Sequence, residues 1–549
     1  MTKEIYEDVG WAKAPHNILY LDHCHAESKR INAGGMFVPL QGDIVHDLAT
    51  ARGSTIKRQE TFMPIFTPGR RWQPPFMPFK REPLGRRLLA SAEKIIKGPL
   101  WGCRMCGNCL LQETAFICPM ECPKGLRNGP CGGSTPETCY VDKTRPCIWY
   151  KIYDRSFQMG RQEMLMEVLP PLDWEKVGGE TWGDVAGQIK RMGAGKVAKG
   201  LLFSSTEERS KTWDGIFRPV RQPDWWQGDN EYHGPNYTEP ASEMERRLKA
   251  GEFVVACEIA PPLSVSTNKL TSNIDLVKSF VTAINFTDNA SATPRMTSWA
   301  CSKIAIERGA EPVMQIAARD RTRAGLQGEI LGASALGVRN VLCVTGDSPV
   351  LAPRPRGRMD INDLDAIQML WILRRMRDEG RYLDGREIKF PPRFFLGAAA
   401  SPFASEPKFQ ALREHKKVNA GAQFFQTNLV YDIEHMEIWL NELAKRNILD
   451  KVYIMVGITP LKSLKMARYM TDVPGVWVPE PILKRMEAAD ASGNAQEEGV
   501  QIALELARKI KGYEKQGIHG LHIMPVGWED IVPRIVTEAG LIQPGPRGA

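Results

Sequence analysis

Short apolar runs alternate with amphipathic stretches along the second half of the chain. The amphipathic stretches, such as 363–379 and 434–446, repeat their apolar positions about every 3.6 residues and predict helices. Eight apolar runs predict strands, at Phe253–Ile259, Ala283–Thr287, Pro312–Ala317, Asn340–Thr345, Phe394–Ala400, Phe424–Val430, Val452–Ile458 and Gly520–Met524. Eight βα units in about 310 residues are typical of a (β/α)8 TIM-type barrel. A doubly wound open sheet is the alternative, but no G-x-G-x-x-G run follows the first strand.

The first 240 residues follow a different pattern. A stretch rich in proline, arginine and aromatic residues extends to about Leu100 without sustained periodicity, which predicts extended or linker chain. Amphipathic pieces predict helices at Leu84–Ile96, Trp149–Met166 and Trp182–Met192. A second aromatic, polar stretch ends at Pro240, where we place the domain boundary. The sequence thus predicts an N-terminal region, 1–240, followed by an α/β barrel domain, 241–549.

Composition narrows the class of protein. Hydrophobic residues make up 43% and charged residues 25% of the 549 positions, as in soluble globular proteins. No apolar stretch approaches the roughly 18 residues needed to cross a bilayer, and the formal charge of +8 comes from dispersed basic residues, which argues against a nucleic-acid groove. Because Met1–Lys13 contains no apolar export signal, we expect a cytoplasmic protein with neither a membrane nor a nucleic-acid partner.

Eight of the twelve cysteines stand between residues 103 and 147. The first three form a C-x2-C-x2-C run punctuated by glycine, which lets the chain curl so that thiols converge on one ion or cluster. Two of the eight are followed by proline, as in the cluster-binding runs of ferredoxins. A disulfide knot is the alternative, but a reducing cytosol would keep these thiols free. The pattern therefore predicts a metal-binding cysteine module at about 95–165.

Iron–sulfur clusters and zinc both suit this spacing, and the pattern favours at least one iron–sulfur cluster. Eight ligands can serve two four-ligand sites, although the spacing does not say which thiols group together. The predicted metal ligands are Cys103, Cys106, Cys109, Cys118, Cys122, Cys131, Cys139 and Cys147. Cys24 stands between two histidines, but adjacent residues rarely converge on one ion, so we do not expect it to be a ligand.

Polar residues stand at the ends of several predicted strands, which is where the chemistry of a barrel is located. Glu258 lies near the end of the first strand among apolar neighbours, and burial there would raise its pKa and make it a usable acid near neutral pH. A structural ion pair or a helix cap is the alternative role for this carboxylate. Gly346 and Asp347 follow the fourth strand and offer close backbone approach and a carboxylate at the barrel mouth.

Four motifs in the second half resemble those of the methylenetetrahydrofolate reductase family. They are E-x-x-P-P in the first strand, T-G-D after the fourth, K-V-x-A-G-A before the sixth and H-I-M-P-V-G-W-E-D-I-V-P near the end. The resemblance covers about 251–540, and the cysteine module resembles a small cysteine-rich domain that accompanies this reductase in some bacteria. It implies a flavin, FAD with FMN as the alternative, and reduction of 5,10-methylenetetrahydrofolate to 5-methyltetrahydrofolate or the reverse reaction.

The resemblance also implies roles for individual residues. Glu258 matches the family's acid, which protonates a folate nitrogen as the five-membered ring opens. Asp347 matches a carboxylate near both flavin and pterin. Thr287 and Lys417 match flavin-binding positions, and a lysine suits a phosphate by its charge.

Three positions depart from the family's pattern. Gln315 stands where many members have a flavin-contacting histidine, and Asn428 stands where many have a folate-binding glutamine. Trp528 replaces an arginine that several members use in the folate site. We expect Gln315 to contact the cofactor and Asn428 to contact the substrate. We expect these three differences from the family to change how the substrate is positioned and not the type of reaction.

Three functions are compatible with these features. The first is a reductase acting on tetrahydrofolate, with a ferredoxin-like electron donor if the module holds iron–sulfur clusters and NAD(P)H if it holds zinc. The second is a flavin-free barrel that transfers the methyl group of methyltetrahydrofolate to a corrinoid protein. The third is an electron-transfer or assembly scaffold without activity, against which Glu258 and Asp347 argue. We favour the reductase and expect it to be a homo-oligomer.

Overall fold

A computed structural model describes residues 83–348, residue 352 and residues 363–541. These residues belong to one compact unit, which begins at Glu82. The predictions made for Met1–Lys13, for Cys24 and for the proline-rich chain before residue 83 lie outside the described residues. Within the described ranges, no helix is long and apolar enough to cross a membrane.

Helices dominate the described chain that precedes the barrel. They are α1 (Leu84–Trp101), α2 (Ile148–Gln158), α3 (Trp182–Met192), α4 (Ala194–Leu202) and α5 (Thr206–Arg221). The bounds of α3 agree with the prediction, and α1 runs further than predicted, to Trp101. The single helix predicted over Trp149–Met166 is wrong. The α-helix ends at Gln158 and a separate 3-10 turn covers Gln162–Met166, because Gly160 adopts φ +64° between them.

Eight parallel strands form a closed barrel in chain order, with β1 paired to both β2 and β8. The strands are β1 (Val254–Ile259), β2 (Ala283–Phe286), β3 (Pro312–Ala317), β4 (Asn340–Val344), β5 (Phe395–Ala400), β6 (Phe424–Leu429), β7 (Tyr453–Ile458) and β8 (Ile518–Ile523). The barrel prediction is therefore confirmed, and the open-sheet alternative is wrong. The last strand begins at Ile518, earlier than predicted, and its pairing with β7 shifts register at His519, between the pairs Ile454–Ile518 and Met455–Gly520.

One helix precedes the first strand, and the others follow strands and surround the barrel. They are α6 (Glu243–Lys249), α7 (Asn268–Val277), α8 (Ser298–Glu307), α9 (Arg323–Ala335), α10 (Ala366–Arg374), α11 (Pro407–Asn419), α12 (Ile433–Lys445), α13 (Leu464–Thr471), α14 (Glu480–Ala491), α15 (Ala495–Lys511) and α16 (Val532–Glu538). Asp365 caps α10 by a capping box with Gln368, so this helix begins after the predicted residue 363, and a π-helical turn completes it to Glu379. Gly421 follows the end of α11 with φ +115°, as its predicted capping position requires.

The interior of the barrel is apolar at one end and polar at the other. Val254, Val313 and Phe395 belong to an inner apolar cluster, which Met244 and Leu248 of α6 extend. Side chains alternate along a strand, so Glu258 points to the same face as Val254 and lies nearer the carboxyl end. Polar groups thus collect at the carboxyl end of the barrel, where a ligand can reach them.

The cysteine module packs against the barrel through α2 and α11. Trp149, Tyr153 and Leu165 form an apolar cluster with Phe409 and Leu412 of α11. The indole of Trp149 donates to the carbonyl oxygen of Leu126 at 3.0 Å, which ties the helix to the cysteine-containing loops. These contacts bring the loops of the module to the carboxyl end of the barrel.

Candidate functional site

A cleft of about 360 Å³ opens at the carboxyl ends of the strands. Its volume is within the usual range for a small-molecule site. The predicted residues that line it are Thr287, Gln315, Asp347, Lys417 and Asn428. The structure therefore brings residues from five separate segments of the barrel to one place.

Glu258 stands beside this cleft and is linked to it by Gln315. The amide Nε2 of Gln315, which lines the cleft, donates to Oε2 of Glu258 at 3.1 Å. Glu258 keeps some solvent contact, but the surrounding barrel desolvates its carboxylate and raises its pKa to about 7. A carboxyl group with this pKa can hold a proton near neutral pH and release it to a bound molecule.

Asp347 is held in the loop after β4 by contacts from two directions. Its Oδ2 accepts from the backbone N–H of Ser291 at 2.6 Å, and its Oδ1 lies 3.5 Å from the hydroxyl of Tyr140. The preceding Gly346 has φ +85°, and a Cβ there would lie 3.2 Å from Cβ of Ala317. The glycine thus permits a turn that a larger residue would strain, and the turn directs the carboxylate to the cleft.

Thr287 and Lys417 present polar groups to the cleft. The hydroxyl oxygen of Thr287 is buried at the cleft and finds no hydrogen-bond partner among the described residues. The Nζ of Lys417 donates to the carbonyl oxygen of Ala399 at 2.5 Å, and burial together with Arg413 lowers its pKa. A flavin in this cleft could accept a hydrogen bond from the hydroxyl of Thr287. Its phosphate would stabilise the protonated, positively charged form of Lys417.

Asn428 and Trp528, the two departures expected at the substrate, occupy different positions. Asn428 lines the cleft, and its amide Nδ2 donates to the carbonyl oxygen of Pro474 at 3.2 Å. Trp528 is 8% exposed, and the Nζ of Lys462 lies 5.4 Å from the centre of its indole ring. Trp528 therefore lies in a packed environment, with the cation of Lys462 over its ring.

The cysteine module contributes a wall of the same cleft, which sequence reasoning missed. Lys124 donates from Nζ to the carbonyl oxygen of Gly346 at 2.8 Å, and Tyr140 reaches Asp347 from the same side. Burial and the charge of Asp347 raise the pKa of Tyr140, so its phenol remains a donor. Cys131 lines the cleft as well. These contacts join residues more than 200 positions apart, and no local pattern in the sequence marks them.

The eight clustered cysteines separate into two groups of four, each of which lines its own cavity. The first thiol group is Cys103, Cys106, Cys109 and Cys118, and the second thiol group is Cys122, Cys131, Cys139 and Cys147. All eight are free thiols. Among the described residues, no three His, Cys, Asp or Glu side chains converge closely enough to hold a single metal ion. The grouping is thus consecutive in sequence, with four thiols around each cavity.

Burial acts strongly on these thiols. It raises the pKa of Cys109 and Cys118 to about 11 and that of Cys122 to about 12. Lys97 counters the effect at the first thiol group, because its Nζ lies 3.8 Å from Sγ of Cys109. The same ammonium group pairs with Glu93 and donates to the hydroxyl of Thr181 at 2.9 Å. A positive charge is therefore fixed beside the first thiol group.

Comparison with known families agrees with this geometry. The model of the family described as methylenetetrahydrofolate reductase matches residues 243–540, which is more than half of the chain and includes the whole barrel. The chain belongs to the methylenetetrahydrofolate reductase family. A second model, described as "Methylene-tetrahydrofolate reductase C terminal", matches residues 86–175. In this member of the family, that segment precedes the barrel and contains all eight clustered cysteines.

Individual relatives are more distant. Methylenetetrahydrofolate reductase 2 of Schizosaccharomyces pombe is 26% identical over 223 residues, which cover 38% of this chain and 33% of the relative. Methylenetetrahydrofolate reductase 1 of the same yeast is 24% identical over 215 residues, covering 38% and 32%. The chain thus spans about a third of the length of these curated relatives.

Similarity to solved structures is weak. An uncharacterized protein from Clostridium thermocellum that binds two copies of 5-methyl-5,6,7,8-tetrahydrofolic acid gives a TM-score of 0.41 at 16% identity, covering 54% of this chain and 98% of that one. A 2,3-dimethylmalate lyase gives a TM-score of 0.32 at 10% identity, covering 55% and 84%.

Proposed function

We propose that this protein is a flavin-dependent reductase that converts 5,10-methylenetetrahydrofolate to 5-methyltetrahydrofolate, with a cysteine module that holds redox-active metal clusters. The carrying observation is the shared cleft, in which Asp347, Thr287 and Lys417 of the barrel meet Cys131 and Tyr140 of the module. Membership of the reductase family supports the reaction. The reaction is reversible in principle, so a donor or acceptor of suitable potential would set its direction.

Glu258 is the proton donor in this proposal. Its pKa of about 7 leaves much of the carboxyl group protonated near neutral pH, and Gln315 fixes its orientation through Oε2. Protonation of a folate nitrogen by Glu258 would favour opening of the five-membered ring, and the carboxylate of Asp347 would stabilise the cationic iminium that results. Asn428 presents an amide at the cleft for the pterin.

Thr287 and Lys417 are the residues that would hold the flavin, and Gln315 lines the same wall. The flavin, when bound, supplies hydride transfer to the substrate carbon. FAD is the form expected from the family, with FMN as the alternative. The unpartnered hydroxyl of Thr287 would gain a hydrogen bond, and an anionic phosphate near Lys417 would offset the burial of its ammonium group.

Four cysteines are the usual ligand set of a [4Fe–4S] cluster and can also bind zinc, and we propose clusters because the second thiol group adjoins the cleft. Such clusters supply one-electron transfer. Cys131 lines both the second cavity and the cleft, so the module's own ligands adjoin the proposed flavin site. We therefore propose a ferredoxin-like electron donor and a reducing, cytoplasmic location.

An anaerobic absorption spectrum of the purified protein, with iron, zinc and flavin analysis, tests this function. We expect flavin bands above a broad visible shoulder that dithionite bleaches, about eight iron atoms per chain for two [4Fe–4S] clusters, and turnover of methylenetetrahydrofolate with reduced methyl viologen. Zinc without iron would refute the cluster assignment and favour NAD(P)H as donor. Absence of flavin would refute the reductase and favour a methyl-transferring barrel.

A further inference from the structure

Helices α1, α3 and α4 form a strongly basic surface. Together they contain eight Lys and Arg residues and two Asp and Glu residues, a formal charge of +6, whereas the whole chain carries +8. Helix α1 contacts α3, and α3 contacts α4, so the charges belong to one continuous part of the surface. We call this surface the basic face.

Neighbouring carboxylates neutralise little of this charge. Arg86 pairs with Asp184 at 3.0 Å, and Lys97 pairs with Glu93 in the buried layer beneath the surface. The other six basic residues are exposed and form no ion pair with any residue in the described ranges. They are Arg87, Lys94, Lys190, Arg191, Lys196 and Lys199.

Exposed apolar side chains stand among these charges. Leu88 and Ile95 of α1 are 63% and 72% exposed, and Leu202 at the end of α4 is 68% exposed. Apolar side chains grouped on a soluble protein mark interaction sites when polar residues surround them. Charged residues around a small apolar area are also the composition of short-lived protein–protein interfaces.

The basic face borders the first thiol group and not the cleft. Helix α1 ends at Trp101, shortly before Cys103, and its Lys97 lies 3.8 Å from Sγ of Cys109. Thr181, the residue before α3, lines the same cavity as those thiols. Cys118 and Cys122 are separated by a single 3-10 turn, so the two thiol groups are joined by a span of at most about 14 Å of chain. A partner on the basic face would therefore lie beside the first thiol group, and the second thiol group would lie between that group and the cleft along the chain.

We propose that the basic face docks a small acidic electron-carrier protein of the ferredoxin class. The inference rests on the proposed function, for which it supplies the donor. Reduction of the methylene group to a methyl group consumes two electrons and two protons, so two reduced one-electron carriers are oxidised in each turnover and must dock one after the other. Electrostatic attraction over a small contact area suits this sequence, because it combines fast association with fast release.

Charge reversal on α3 and α4 tests the proposal. The variant changes four exposed residues that line neither the thiol cavities nor the cleft, K190E, R191E, K196E and K199E. Glutamate has nearly the helix propensity of lysine and arginine, so the helices should persist. We would measure anaerobic binding of an acidic single-cluster ferredoxin to the intact protein by biolayer interferometry. We expect the association rate at low ionic strength to fall about 10- to 100-fold and its salt dependence to flatten.

A matched variant reverses the same number of charges on the outer surface of the barrel, at four exposed lysines away from the module. These substitutions are K389E, K465E, K484E and K515E. This control should bind ferredoxin as the unchanged protein does, and all three proteins should turn over equally with reduced methyl viologen, which needs no docking. Equal loss of ferredoxin binding in both variants, or retained binding in the first, would overturn the proposal. So would binding of the unchanged protein to phosphatidylglycerol vesicles without binding to ferredoxin. Lack of viologen turnover in the unchanged protein would count against the reductase activity alone.

Discussion

Replacing Glu258 with glutamine should show separately how much the buried carboxylate destabilises the fold and how much its proton contributes to catalysis. The substitution keeps the size of the side chain and leaves an oxygen to accept the hydrogen bond that Gln315 donates at 3.1 Å. It removes the proton that the proposed mechanism delivers to the substrate nitrogen. General acid catalysis by a positioned side chain contributes about 10²- to 10⁴-fold, so we expect kcat to fall by that factor while flavin remains bound.

The same substitution should stabilise the fold at alkaline pH. Burial raises the pKa of Glu258 from 4.5 to about 7, so the ionised carboxylate costs the folded state about 3 kcal/mol once the pH is well above 7. The wild-type protein carries no such cost below pH 4.5 and acquires it between pH 4.5 and 7. Glutamine does not ionise. The Glu258→Gln variant should therefore match the wild type in acid and unfold at a higher temperature above about pH 8.

Two measurements check this reasoning. Viologen-driven turnover is followed from pH 5.5 to 9, where the wild-type rate should decline above about pH 7 and the residual rate of the variant should not. Thermal unfolding is followed by circular dichroism from pH 4 to 9, because the two proteins are expected to match only below about pH 4.5. A variant with kcat within a few-fold of the wild type, or with the same alkaline decline, would refute the assignment of Glu258 as the acid.

Three further variants address the cofactor groups. Thr287→Val should weaken flavin binding by about tenfold through loss of one hydrogen bond, as measured by flavin released on dilution; unchanged retention would remove Thr287 from the site. Cys147→Ala should lose the metal of the second thiol group alone, so iron content should fall by half, and loss of all iron would contradict the four-and-four grouping. Lys97→Met, combined with Glu93→Gln to avoid an unpaired buried carboxylate, should lower one midpoint potential in an EPR-monitored titration by about 60 mV, a tenfold change in the one-electron equilibrium. An unaltered potential would show that the ion pair of Lys97 and Glu93 does not act on the first thiol group.

The sequence predicts the barrel well because each strand is marked by a short apolar run in its own residues. An apolar run such as Pro312–Ala317 is buried on both faces in a parallel sheet, and its bounds in the structure are the predicted ones. The helix predicted over Trp149–Met166 fails for a local reason as well, since the apolar periodicity continues through Gly160 while the backbone does not. Periodicity reports which face is buried and is insensitive to a single residue with positive φ.

The site is predicted only as far as it depends on strand ends. Glu258 and Asp347 follow apolar runs, so the barrel places them at one end without further information. Lys124 and Tyr140 reach the cleft because α2 packs on α11. The residues around them in the sequence form no pattern that predicts a contact with the barrel. The division of the eight thiols into two groups of four could be determined only from the structure, because the spacing in the sequence allows several divisions.

Helix α11 takes part in both halves of the protein. Phe409 and Leu412 on this helix complete the apolar cluster of the cysteine module, and Lys417 in its last turn lines the cleft. Under the proposed function, binding of metal by the module and binding of flavin by the cleft would therefore be coupled, since whatever orders one end of the helix favours the other. Oxidation of the module's cysteines would then loosen a wall of the cleft, so the barrel would become sensitive to oxygen through residues that lie outside it.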